Sequence, residues 1–177
     1  MRRLILLRHA KTERDAPSGK DHDRRLDERG HHDGAEIGRW LAAENYRPDL
    51  VLVSDAARAQ ETWELVRTAI PSAPARHLPE LYGADPSELL RAIHGTAKTD
   101  PKCLMIIAHN PGLHELALAL IAGGDAAGRR ALEANLPTSG VAVIDFKIDD
   151  WDDIGFRGGQ LARFASPKLL REASGEA

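Results

Sequence analysis

Leu4-Ile5-Leu6-Leu7-Arg8-His9-Ala10-Lys11 is the stretch whose reading decides the fold. Four consecutive apolar residues run straight into an arginine and a histidine. A short apolar run of this length reads as a strand buried on both faces, as in a parallel sheet. The charged pair then falls at the carboxyl end of the strand, where open α/β sheets place their ligands. Arg8 offers an oxyanion a planar fork of donors. His9 carries the side chain most readily used near neutral pH as a nucleophile or proton carrier.

Two further runs repeat the pattern. Leu50-Val51-Leu52-Val53 leads into Ser54-Asp55, both good N-cap residues, and a helix is predicted over 56–69. Arg58 then lies in the first turn of that helix. A cation there opposes the helix dipole, and an anionic ligand would offset the cost. Leu104-Met105-Ile106-Ile107-Ala108 leads into His109-Asn110-Pro111-Gly112, with Asn110 as the predicted N-cap and Pro111 at the first helical position. Leu113, Leu116, Ala117, Leu120 and Ile121 form the inward stripe of the helix that follows, and Gly123-Gly124 stops it.

Helices are also predicted over 26–45, 86–94 and, with a loop, 126–137. Gly30, Gly34 and Gly38 weaken the first but permit close packing. Two late strands, 141–146 and 161–164, supply an antiparallel edge. The expected fold is therefore α/β, a three-layer α/β/α sandwich with a mainly parallel central sheet, in one domain over 1–177. The tail from 166 to 177 is polar and expected to be partly frayed. Between the first strand and the first helix, residues 11–25 form a long polar loop with Asp21, His22, Asp23, Arg24 and Arg25. It is either a solvated loop or the rim of a site.

Composition narrows the function. The apolar fraction of 42% in 177 residues suits a globular domain with a good core. A net charge of -3 is too mild to point to nucleic acid or an anionic membrane as partner. Cys103, the one cysteine, excludes an intramolecular disulfide and reads as a buried structural thiol. The four apolar residues before Arg8 are too few for a signal-peptide core, and no apolar segment reaches membrane-spanning length. The expected location is the cytoplasm. His31 and His32 lack further metal ligands at suitable spacing and are read as solvent-facing. The acidic run 149–153 lacks the ligand pattern of a calcium loop and is read as a solvated connection.

Arg8, His9, Arg58 and His109 thus meet at one edge of the sheet, and such a cationic pocket suits a phosphoryl group. The arginines lower the pKa of the histidines beside them. A neutral His9 could attack phosphorus while the other cations stabilise charge on the equatorial oxygens. A carboxylic acid such as Glu80 could protonate the leaving atom.

The same residues carry a family resemblance over nearly the whole chain. The motifs are Leu-Leu-Arg8-His9-Ala, Asp23-Arg24-Arg25-Leu26-Asp27-Glu28-Arg29-Gly30 and Pro48-Asp49-Leu50-Val51, then Ser54 with Arg58-Ala59-Gln60-Glu61-Thr62. Leu81-Tyr82-Gly83-Ala84, His109-Asn110-Pro111-Gly112-Leu113 and Leu136-Pro137-Thr138-Ser139-Gly140 complete them. In this order they resemble the histidine phosphatase superfamily, the phosphoglycerate-mutase-like enzymes, and within it the small SixA-type phosphohistidine phosphatases. The resemblance implies that His9 becomes phosphorylated and that Arg8, Arg58 and His109 hold the phosphate, with no metal or cofactor required. It places Glu80 as the acid by its position before Leu81-Tyr82-Gly83. Many members have glycine where this chain has Ala10, and SixA-like sequences commonly have alanine there. The short interval between Glu80 and His109 leaves no room for the large lid of the mutase branch. An open site suits a phosphorylated protein, such as a histidine-containing phosphotransfer domain, better than a small phosphomonoester. A general phosphomonoesterase and a non-catalytic phosphate-binding module stand as alternatives.

Overall fold

Leu4 to Leu7 have no solvent exposure at all, because the strand they form lies inside the sheet with a core on each face. The computed structural model describes residues 1–175. In chain order its elements are β1 (Arg2–Arg8), α1 (Glu28–Ala43), β2 (Leu50–Ser54), α2 (Ala57–Arg67), β3 (Ala75–Leu78) and α3 (Pro86–His94). They continue with β4 (Cys103–Ala108), α4 (Gly112–Leu120), β5 (Ile121–Gly124), α5 (Ala126–Ala134), β6 (Val141–Phe146), β7 (Gly159–Ala165) and α6 (Pro167–Ala173).

The strands form one sheet in the order β3-β2-β4-β1-β6-β7-β5. β1 pairs in parallel with β4, β4 with β2, and β2 with β3. β6 runs antiparallel to both β1 and β7, and β5 is parallel to β7. Only β6 therefore opposes the common direction. The mainly parallel sheet agrees with the sequence reading, but the antiparallel strand lies inside the sheet. The edge on that side is β5, in which Ile121 is a residue of the expected helix stripe and Gly123-Gly124 the expected helix stop. Gly124 adopts φ 104°, and a Cβ there would meet the Leu161 backbone oxygen at 2.3 Å, so glycine lets β5 lie close against β7.

Alternate residues of the central strands feed two cores. Leu4, Leu6, Leu52 and Ile106 pack with Leu89 and Ile93 of α3, Leu113 and Leu116 of α4, and Leu132 of α5. Ile5, Leu7, Val53 and Ile107 pack with Ile37 and Leu41 of α1 and Trp63 and Val66 of α2. Helices thus cover both faces, which makes the three layers. α1 begins at Asp27, whose side chain accepts from Gly30 N at 2.8 Å. A Cβ at Gly30 would stand 2.0 Å from Lys11 O, and one at Gly38 3.0 Å from Val66 Cα. The glycines that weaken α1 as a sequence signal are what bring it against α2 and the end of the nucleophile segment.

Three local expectations change. Asn110 does not cap α4: the Asn110-Pro111 peptide is cis, Pro111 stands at the N-cap, and Asn110 Nδ2 donates to Leu136 O at 2.8 Å. The tail expected to fray forms α6, with Ser166 Oγ accepting from Leu169 N at 3.2 Å and Leu170 packed on the second core. Residues 176–177 lie outside the described part. Cys103 is only partly buried, and burial pushes its thiol up to about 12, so it is inert as a nucleophile near neutral pH. His31 and His32 are exposed, as read. Among the described residues no helix is long and apolar enough to cross a membrane.

Candidate active site

The parallel strands β1, β2 and β4 end side by side, and each hands its next residues to one site. β1 delivers Arg8 and His9, β2 delivers Ser54 and then Arg58 in the first turn of α2, and β4 delivers His109. Each helix that follows a strand must turn back across the sheet, so these junctions gather at the carboxyl edge. The imidazole rings of His9 and His109 lie with centroids 5.2 Å apart.

Several hydrogen bonds fix the nucleophile segment. His9 N donates to Ala108 O at 3.3 Å, and Ser139 N donates to the carbonyls of Arg8 and His9, each at 3.1 Å. Ser139 holds φ 59° to do so. Ala10 N donates to Thr62 Oγ1 at 2.9 Å, and that hydroxyl donates to Arg58 O at 2.7 Å. One threonine therefore ties the strand end bearing His9 to the helix bearing Arg58.

His9 Nδ1 lies 2.8 Å from Ala10 O. A carbonyl oxygen can only accept, so Nδ1 carries the proton and Nε2 presents its lone pair. Burial pulls the His9 pKa down to about 3, with His109, Arg58 and Arg8 adding like-charge repulsion against the Ala10 hydrogen bond. His109 is lowered to about 4, by burial first and then by Arg58. Both imidazoles are neutral at pH 7. His109 Nε2 lies 2.7 Å from Ser54 Oγ, which itself accepts from Ala56 N. With the Ser54 hydroxyl donating to Nε2, His109 keeps its hydrogen on Nδ1.

That Nδ1 has no partner. Arg8 Nε, Arg58 Nε, His109 Nδ1, Asn110 Oδ1 and Ser139 Oγ are the buried side-chain polar atoms left unpaired among the described residues. All belong to residues at the ends of β1 and β4, at the start of α2 or in the turn before β6. An unpaired buried donor costs about 1–3 kcal/mol, and Arg8 Nε, Arg58 Nε and His109 Nδ1 are donors of the kind that an oxyanion satisfies.

The loop over 11–25 belongs to the site. Its 3₁₀ turn at Asp21–Asp23 presents Asp21 to Arg58, which donates from Nη1 to Asp21 O at 2.8 Å and from Nη2 to Oδ2 at 3.0 Å. Tyr82 OH donates to the same carboxylate oxygen at 2.6 Å, and Arg24 Nε to the other at 2.9 Å. These donors, Tyr82 foremost, hold the Asp21 carboxyl far below the usual carboxylate range. Tyr82 also sets its ring edge-on to His109 at 5.6 Å. Its loop reaches there because Gly112 has no Cβ; one would meet Ala84 O at 1.9 Å. His22 pairs with Asp55 Oδ1 at 2.9 Å, which raises the histidine's pKa and pins the loop to the start of α2.

The structure thus brings together Arg8, His9, Arg58 and His109 as read from the sequence. Glu80 stands apart from them. It is exposed on the turn Pro79–Leu81, makes no side-chain hydrogen bond, and faces a cavity of about 280 Å³ lined with Arg76, Glu88 and Arg91. Ser54, Thr62, Tyr82 and Ser139 entered the sequence reading only as cap, stripe or motif residues. Their bonds to the site depend on strand order, which no local pattern contains.

Known proteins share both the sequence and this fold. Residues 4–85 match the model of the histidine phosphatase superfamily (branch 1). The uncharacterised protein Rv1276c of Mycobacterium tuberculosis is 36% identical over 165 residues, 92% of this chain and 100% of its own. The assigned phosphohistidine phosphatase SixA of Agrobacterium tumefaciens is 33% identical, with TM-score 0.79 over 94% of this chain and 98% of its own. The protein histidine phosphatase SixA complexed with tungstate, 24% identical, shares the fold at TM-score 0.76 over 95% and 99%. Fold and strand-end site together are those of a phosphatase. The chain belongs to the histidine phosphatase superfamily.

Proposed function

We propose that the protein is a phosphohistidine phosphatase of proteins that works through a covalent phosphohistidine at His9. The observation that carries this reading is the pairing of His9 Nδ1 with Ala10 O, which leaves a neutral imidazole with Nε2 as its nucleophilic atom. Nε2 attacks phosphorus, the bond from phosphorus to the leaving nitrogen or oxygen breaks, and the leaving atom takes up a proton. Water then attacks the phosphohistidine, inorganic phosphate departs, and His9 is restored neutral. Arg8, Arg58 and His109 bind the phosphoryl oxygens, and their unpaired Nε and Nδ1 donors support that role. Two guanidinium groups supply the positive charge that a metal ion supplies in other phosphatases, so the reaction needs no metal or cofactor. Glu80 stands apart from these residues and is given no part in protonating the leaving atom. A phosphohistidine leaving group needs less help from an acid, which favours it as substrate. The chemistry suits the reducing cytoplasm, where the single thiol stays free.

A substrate panel tests the reading. The wild-type protein is expected to release phosphate from a phosphorylated histidine-containing phosphotransfer domain in preference to p-nitrophenyl phosphate. His9→Ala is expected to lose all turnover and all acid-labile labelling of the protein with phosphate. Hydrolysis retained by that variant removes His9 from the mechanism; equal kcat/KM on both substrates points to a general phosphomonoesterase.

A further inference from the structure

α6 closes one side of a cleft of about 240 Å³ whose lining includes none of Arg8, His9, Arg58 and His109. Lys11, Arg29, Lys168 and Arg171 line it, with Thr138 between them and Asp33 as the one acidic residue. Asp33 is buried and already engaged: Arg171 Nη1 lies 3.2 Å from Oδ1 and Arg29 Nε 3.5 Å from Oδ2. Glu36, outside the lining, reaches Arg171 at 4.0 Å. The Lys11 and Lys168 ammonium groups are exposed and make no hydrogen bond or ion pair among the described residues. The whole chain has more acidic than basic residues, 27 to 24, so Lys11, Arg29, Lys168 and Arg171 against Asp33 and the nearby Glu36 are a local reversal of charge.

The cleft also adjoins the site by chain connection. Lys11 follows His9 by two residues, so their Cα atoms are at most about 7 Å apart. Thr138 precedes Ser139, whose amide holds the Arg8 and His9 carbonyls. A protein substrate with its phosphoryl group at His9 and further chain on the Lys11 side would meet these cations, and a small phosphomonoester carries no such chain.

We propose that this cleft docks acidic side chains flanking the phosphorylated residue of a protein substrate. The inference rests on the phosphatase reading of the His9 site and adds the class of sequence that the site prefers. Exposed charges at the rim of an interface act on encounter and specificity and are weakened by salt, so the preference is electrostatic.

Two synthetic peptides test it, each with one phosphohistidine, flanked by glutamates in one and by serines in the other. Affinity is read by calorimetry and turnover by phosphate release, for the wild type, Lys168→Glu and the Lys11→Glu/Lys168→Glu double variant. The wild type is expected to bind the glutamate peptide about tenfold more tightly, with the advantage falling as salt rises. Lys168→Glu is expected to erase most of that advantage, the double variant to reverse it, and Lys168→Glu to hydrolyse p-nitrophenyl phosphate within about twofold of wild type. Equal affinity for both peptides in the wild type, or an advantage that survives in the double variant, overturns the docking cleft. So does a loss by Lys168→Glu that is as large on p-nitrophenyl phosphate as on the glutamate peptide. A wild type that prefers the glutamate peptide but releases no phosphate upholds the cleft and overturns the phosphatase reading instead.

Discussion

His9 and His109 are buried imidazoles beside two guanidinium groups, and both sit well below the ordinary histidine value of about 6.5. The consequence reaches stability as well as chemistry. Between about pH 6.5 and pH 4 the unfolded chain holds protons on these two residues that the native protein refuses. Stability therefore rises with pH across that window and falls on acidification from pH 7. Thermal unfolding followed from pH 7 to pH 4 is expected to show this, with a shallower slope in His9→Asn than in the wild type; identical slopes would contradict it. Glu80 carries a second residue-scale prediction. Its carboxyl is exposed and faces a cavity that none of Arg8, His9, Arg58 and His109 lines. Glu80→Gln is expected to leave kcat within about twofold of wild type on both phenyl phosphate and a phosphohistidine peptide. A loss of about a hundredfold on phenyl phosphate alone would make Glu80 the proton donor after all.

At the level of elements, α1 shows why propensity and packing can point in opposite directions. Three glycines cost it helical stability, yet Gly30 meets the Lys11 carbonyl where no Cβ fits. Gly30→Ala improves intrinsic helix propensity and still should lose about 1–3 kcal/mol by overpacking, because the atom in the way is backbone. The strain falls two residues from His9, so kcat/KM is expected to drop together with the melting temperature. Urea unfolding and steady-state kinetics on the same sample check both; an unchanged kcat/KM would mean that the strain stops at Lys11. The sequence placed α1 within two residues at either end, because the helical spacing of Ile37, Trp40 and Leu41 is a local signal. It missed β5, because Ile121–Gly124 owes its strand form to pairing with β7, a partner about forty residues away.

Across the whole molecule, the order of the strands ranks their stability. β1 lies between β4 and β6 and is buried on both faces, whereas β3 and β5 are short, partly exposed edges. Amides of β1 are expected to exchange only through global unfolding, and those of β3 and β5 through local opening at lower free energy. Native-state hydrogen exchange read residue by residue tests this ranking, and protection in β5 equal to that in β1 would overturn it. The site hangs on the protected part of the sheet, since β1, β2 and β4 lead into Arg8, His9, Arg58 and His109.

The sequence by itself determined the class of fold, the three strand ends and the quartet Arg8, His9, Arg58 and His109. Each rests on a signal within a few residues: an apolar run, a charge at its end, a helix stripe after it. Only the tertiary structure decided what those residues touch. Asp21 on Arg58, Ser54 on His109, Thr62 between Ala10 and Arg58, and α6 beside Lys11 all join segments far apart in the chain. Such contacts follow from strand order and helix packing, which the short-range pattern of residues does not encode.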